Sequence, residues 1–106
     1  MIPCNADIIL YARRVVEDAG FNLTPMSSAF FVELFRLVLD EGEKHPDNSM
    51  RGVRYSYREL SEKLDFSYEI VRNSMQLFLK CGLVVRKYIG MKKYVTYMDV
   101  SVFDEP

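Results

Sequence analysis

The sequence has no Trp, one His, two Cys and only nine Gly and Pro together in 106 residues, and each scarcity excludes something. Cys4 and Cys81 lie far apart, with no C-x-x-C spacing and no neighbouring His. A zinc site takes three or four ligands, so no metal is expected, and His45 falls beside Pro46 in a polar stretch. Two isolated cysteines fit a reduced, cytoplasmic protein more simply than a disulfide-linked one. The N-terminus lacks the basic start, apolar run and small-residue cleavage site of a signal peptide. Polar residues interrupt every apolar stretch before membrane-spanning length, so no membrane span is expected. There is no Gly-rich phosphate loop, and no acid, base or nucleophile is grouped for catalysis. Glu59 and Glu62 are accounted for by helix capping and surface charge. No enzyme, no cofactor and no small-molecule ligand is therefore expected of a chain with little room for a pocket.

What is present is an ordinary globular mixture, 49% apolar and 27% charged, at a length suited to one domain over residues 1–106. A chain of this size buries enough surface to form a core unaided. The formal net charge is −1, but it is unevenly spread. Residues 1–50 carry four Lys and Arg against eight Asp and Glu; residues 51–106 carry ten against seven. In 51–98 alone the ten cations face four anions. Such asymmetry points to a basic working face.

The pattern along the chain predicts mainly α structure with a small antiparallel sheet, an α+β fold. Residues 5–19 form an amphipathic helix, with Asn5 as cap and Gly20 as terminator. Thr24-Pro25 opens a second helix over about 25–43, apolar almost all round except at Glu33 and Arg36. After a loop at 44–52, Val53-Arg54-Tyr55 suits a short strand, and Ser56 to Glu59 has the form of a capping box opening a helix at 57–64. Ser67 caps a helix over about 68–81 that ends at Gly82. Leu83–Ile89 and Lys92–Val102 then read as a hairpin with Gly90-Met91 at its tip.

Within this order, Leu64-Asp65-Phe66-Ser67, then Val71, Met75 and Phe78, then Gly82-Leu83-Val84, resembles the winged helix-turn-helix domain. The resemblance covers 53–98, about half the chain. It implies a winged helix-turn-helix with an extra N-terminal helix: N-terminal helices at 5–43, strand and helix-turn-helix at 53–82, and a wing hairpin at 83–102. It also implies sequence-specific binding of double-stranded DNA, in transcription regulation or in replication initiation.

The residues support that expectation on their own. A seam of Val71, Met75 and Phe78 leaves Tyr68, Glu69, Arg72, Asn73 and Gln76 outward. Arg, Asn and Gln are the side chains that bond bidentately to base edges. Tyr68, Arg72, Asn73 and Gln76 are therefore candidate base contacts, with Arg72 suited to guanine. Glu69 repels phosphate but can accept from a cytosine amine. Ser67, Arg54, Arg58, Arg86, Lys87, Lys92 and Lys93 are candidate contacts to the DNA backbone. The tyrosines at 55, 57, 88, 94 and 97 suit core and cross-strand packing better than base stacking. The N-terminal helices hold more apolar surface than a small core needs, and Leu77 and Leu79 add to it. That excess serves either a homodimer interface, matching a two-fold operator, or cover within one chain. The alternative is a protein-interaction module that uses the same fold without DNA.

Overall fold

A computed structural model describes residues 3–104; Met1, Ile2, Glu105 and Pro106, which the expected domain includes, lie outside the described residues. The chain is α+β. Its elements in order are α1 (Asn5–Asp18), α2 (Pro25–Glu41), β1 (Glu43–Lys44), β2 (Arg51–Val53), α3 (Tyr57–Leu64), α4 (Tyr68–Lys80), β3 (Val85–Gly90) and β4 (Lys93–Met98), followed by a 3-10 turn at Ser101–Phe103. The strands form one antiparallel sheet in the order β1-β2-β4-β3.

α2 is the centre. The Thr24 hydroxyl accepts from the Ser27 N–H at 3.2 Å, and Pro25 occupies the first turn. Phe30, Phe31, Val32, Leu34, Phe35, Leu37 and Val38 are all buried, because α1, α3, α4 and β2 pack around this one helix. A helix apolar all round needs partners on more than one side. α1 lays Ile8, Ala12 and Val16 against it. The 3-10 turn closes the same end: the Phe103 ring meets Tyr11 and Phe35 edge-on at 5.8 and 5.6 Å.

Asn5 does not cap α1. The N-cap is Cys4, without a side-chain hydrogen bond. Asn5 Oδ1 instead accepts from Arg36 Nε at 3.1 Å, and Arg36 Nη2 donates to the Pro3 carbonyl at 3.2 Å. A charge-assisted bond between helices outcompetes a neutral local cap. α2 stops at Glu41, two residues short of expectation, where Gly42 turns extended and β1 begins.

α3 opens with the capping box: the Glu59 N–H donates to Ser56 Oγ at 3.1 Å, and the Ser56 N–H donates to Glu59 Oε1 at 3.0 Å. It closes at Asp65, which adopts the left-handed conformation (φ 59°, ψ 50°) while the Phe66 N–H bonds to the Ser61 carbonyl at 3.1 Å. Asp is among the few residues that tolerate this conformation. α4 ends at Gly82 (φ 78°), with the Leu83 N–H on the Phe78 carbonyl at 2.9 Å. Gly20 ends α1 in the same way, through the Phe21 N–H and the Val16 carbonyl.

The sheet differs from expectation in three places. The short strand is Arg51–Val53, not 53–55, and β1 pairs with it to make a small hairpin around the loop. The register follows from contact, not propensity: Gly52 lies opposite Tyr97, and a Cβ there would stand 2.6 Å from the Tyr97 ring and 2.7 Å from Val95 Cγ1. Tyr55 leaves the ladder and donates its hydroxyl to Glu41 at 2.6 Å. The β3–β4 strands are shorter than expected, and the tip is Met91-Lys92, one residue later than Gly90-Met91, because Ile89 is bulged out of the ladder between the Tyr88–Tyr94 and Gly90–Lys93 pairs.

Gly52→Ala is expected to lower stability by about 1–3 kcal/mol through overpacking. Asp65→Val should cost about 1–2 kcal/mol at its left-handed position, while Asp65→Gly should cost nothing. Urea denaturation of the three variants checks all of these values.

Candidate nucleic-acid interface

The rotation of α4 is set by its inner face. Val71, Ser74, Met75 and Phe78 are buried. Phe78 stacks parallel to Phe30 at 6.2 Å and meets Phe31 edge-on at 5.3 Å. Beside them, Ser74 Oγ and Ser27 Oγ share a buried hydrogen bond of 2.8 Å. That seam turns Tyr68, Glu69, Arg72, Asn73 and Gln76 to solvent. At the helix start, Ser67 Oγ accepts from the Ile70 N–H at 3.2 Å, which leaves its own proton free to donate. Arg58 is exposed in the first turn of α3.

The hairpin cations are not equivalent. Side chains alternate across a strand, so Arg86, Tyr88, Tyr94 and Thr96 share one face, and Val85, Lys87, Val95 and Tyr97 the other. Arg86 lies between two rings, its guanidinium carbon 4.4 Å from the centre of Tyr57 and 4.6 Å from that of Tyr94. Its Nε is buried without a partner, as is Thr96 Oγ1 directly across the ladder. Arg86 thus fastens the hairpin to the first turn of α3. Lys87, Lys92 and Lys93 are exposed. Tyr88 and Tyr94 form a cross-strand edge-on pair at 5.3 Å.

Arg54 bonds to Glu43 Oε2 through Nε at 3.2 Å and Nη2 at 3.0 Å, with both side chains more than half exposed. Such a surface pair is worth little and exchanges readily. Between the hairpin and the start of α3 lies a cleft of about 240 Å³, where Arg54, Arg86, Lys92 and Lys93 surround Glu59 and Tyr94. The Glu59 carboxyl is held below its usual range, first by the Ser56 backbone N–H, then by the Ser56 side chain and the charge of Lys93. Among the described residues it is the one carboxylate that lines this cleft.

Some of the basic set is spent on the fold. Lys63 lies 3.3 Å from Glu41 and 5.3 Å over the Tyr55 ring, joining α3 to the end of α2. The Glu41 carboxyl is lowered mainly by the Tyr55 hydroxyl, and the Tyr55 hydroxyl is raised mainly by Glu41. The clamp of Tyr57 and Tyr94 on Arg86 has no signal in the sequence, because Tyr57 and Arg86 belong to different elements 29 positions apart. Among the described residues, no three His, Cys, Asp or Glu side chains gather to hold a metal ion, and no helix is long and apolar enough to cross a membrane. Leu77 and Leu79 are half-buried against the core.

Replacing Arg86 by Ala should raise amide hydrogen exchange throughout β3 and β4 while leaving α4 protected. Arg86→Lys should not restore protection, because only a planar guanidinium stacks on both rings. Peptide-resolved exchange measured by mass spectrometry checks this; unchanged exchange in Arg86→Ala would refute the clamp.

Compared with protein-family models, with curated proteins and with solved structures, the chain matches none.

Proposed function

We propose that the chain binds double-stranded DNA as a winged helix-turn-helix, with α4 in the major groove and the β3–β4 hairpin as a basic wing. The observation that carries this reading is the exposed polar face of α4. Arg72, Asn73 and Gln76 stand on a helix whose other face is locked into the core. A rigid helix that presents bidentate donors and acceptors is what base-edge readout requires. Tyr68 flanks that face, and the Ser67 hydroxyl and the start of α4 are suited to a backbone phosphate.

Arg58, Lys87, Lys92 and Lys93 are exposed, and Arg54 can exchange Glu43 for phosphate. Arg86 supports the wing from within and contributes charge more than contact. The same module serves a transcription regulator or a replication initiator.

Five phosphate contacts, from Arg54, Arg58, Lys87, Lys92 and Lys93, predict that the logarithm of affinity falls with that of salt with a slope of roughly −4 to −5. Duplex binding should therefore weaken roughly 10²- to 10³-fold between about 50 and 200 mM salt. Arg72→Ala should relax base preference by about 1–3 kcal/mol at one position. The pair Lys92→Ala and Lys93→Ala should weaken all sequences alike and reduce the slope by about two. Fluorescence anisotropy with selected and random duplexes measures each effect. No binding by micromolar protein at about 50 mM salt sinks the proposal.

A homodimer through the N-terminal helices belongs to the same reading, since a two-fold operator wants two copies. The large apolar side chains left exposed in this region are Leu10 on α1, Phe21 just after it, Met26 in the first turn of α2, and Val102. Light scattering at micromolar concentration should give twice the chain mass of 12.4 kDa; a mass of one chain removes the dimer.

A further inference from the structure

The tip of the β3–β4 hairpin is built against local preference. Met91 and Lys92 both adopt the left-handed conformation, at φ 52° and 59°. A two-residue turn of this kind is suited to Asn-Gly, and an unbranched side chain such as Met is disfavoured there. The tip is held from below, by the bulge at Ile89 and by the Lys92 N–H donating to the Tyr88 hydroxyl at 3.4 Å. Met91 is 89% exposed, the most exposed large apolar residue of those described. It adds nothing to the core, and its backbone is strained. Strain retained without a packing gain marks a functional position.

Its neighbours specify the partner. Lys92 and Lys93 adjoin it and Lys87 stands on the strand behind it, all exposed. An apolar side chain followed by two cations, with a third on the strand behind it, at the end of a narrow ribbon matches a polyanion that has an apolar interior. Val85, Tyr88, Ile89 and Tyr94 are also exposed along the ribbon, but a membrane surface is met by the long apolar face of a helix, not by a two-stranded tip. Duplex DNA fits better: its minor groove admits a narrow ribbon, and a Met wedged between base pairs unstacks them and kinks the helix.

We propose that Met91 is a wedge that enters the minor groove and bends the DNA bound by this chain. The inference rests on the DNA-binding reading above and assigns to the wing tip a task separate from phosphate contact. Lys87, Lys92 and Lys93 hold the ribbon on the two backbones, and Met91 opens the step between them. Pyrimidine–purine steps, which unstack most easily, are the preferred point of entry.

The test uses a duplex of about 30 base pairs with a central TpA step, dye-labelled at both ends, at low salt. The full chain is compared with Met91→Leu and Met91→Asn. Binding of the wild-type chain should bend the duplex by roughly 20–90°, and Met91→Leu should retain that bend. Met91→Asn should bind a straight duplex, and its thermal midpoint should rise, because Asn adopts the left-handed conformation readily. A wild-type complex that is straight, or a Met91→Asn complex bent like wild type, overturns the wedge and leaves DNA binding intact. Failure of the wild-type chain to bind any duplex overturns both readings, as does its binding to phosphatidylserine vesicles in place of DNA.

Discussion

The contact on which the rest depends is Phe78 against Phe30 and Phe31. One ring stacks and the other meets it edge-on, so Phe78 has a single seat. Aromatic pairs add about 0.5–1.5 kcal/mol beyond the area they bury, but their larger consequence here is angular. With Phe78 seated and Ser74 bonded to Ser27, α4 cannot rotate about its axis. Which side chains face solvent is thereby decided for the whole helix. Phe66 meets Phe30 edge-on from the turn between α3 and α4, so the angle between those helices is tied to the same cluster.

A second layer of structure comes from cations that look alike in the sequence and act differently. Arg36 interrupts the apolar run of α2 and clasps the start of α1. Arg86 sits among the hairpin cations and pins the hairpin to α3. Lys63 closes a network with Glu41 and Tyr55. These three hold elements together, while Arg58, Lys87, Lys92 and Lys93 stand exposed. The basic half of the chain is therefore smaller as a free surface than its composition suggests, and more local. A rigid arrangement of few charges favours salt-sensitive, oriented contact over general adhesion.

Legibility in the sequence followed the range of the forces involved. Thr24, Ser56 and Ser67 all cap the helices they precede, and Gly20 and Gly82 both end helices in the left-handed conformation. Those features are local, completed within four or five residues. Asn5 had the right local chemistry and a stronger partner in Arg36. β-Branched and aromatic content predicts a strand at 53–55. The actual ladder is at 51–53, where only a glycine fits beneath Tyr97. The bulge at Ile89 that moves the turn to Met91-Lys92 arises from pairing across the hairpin, which no single strand encodes.

By itself the sequence determined the α+β class, the order and approximate ends of the helices, and the inner seam of α4. Each of these depends on short spacings that a chain reads within one or two turns. Only the tertiary structure decided which arginines are free, where β2 joins the sheet, and that a strained, exposed Met crowns the hairpin. Those outcomes depend on contacts between residues distant in the chain, such as Tyr57 with Arg86 and Gly52 with Tyr97. Their strength comes from geometry that exists only once the core around α2 has closed.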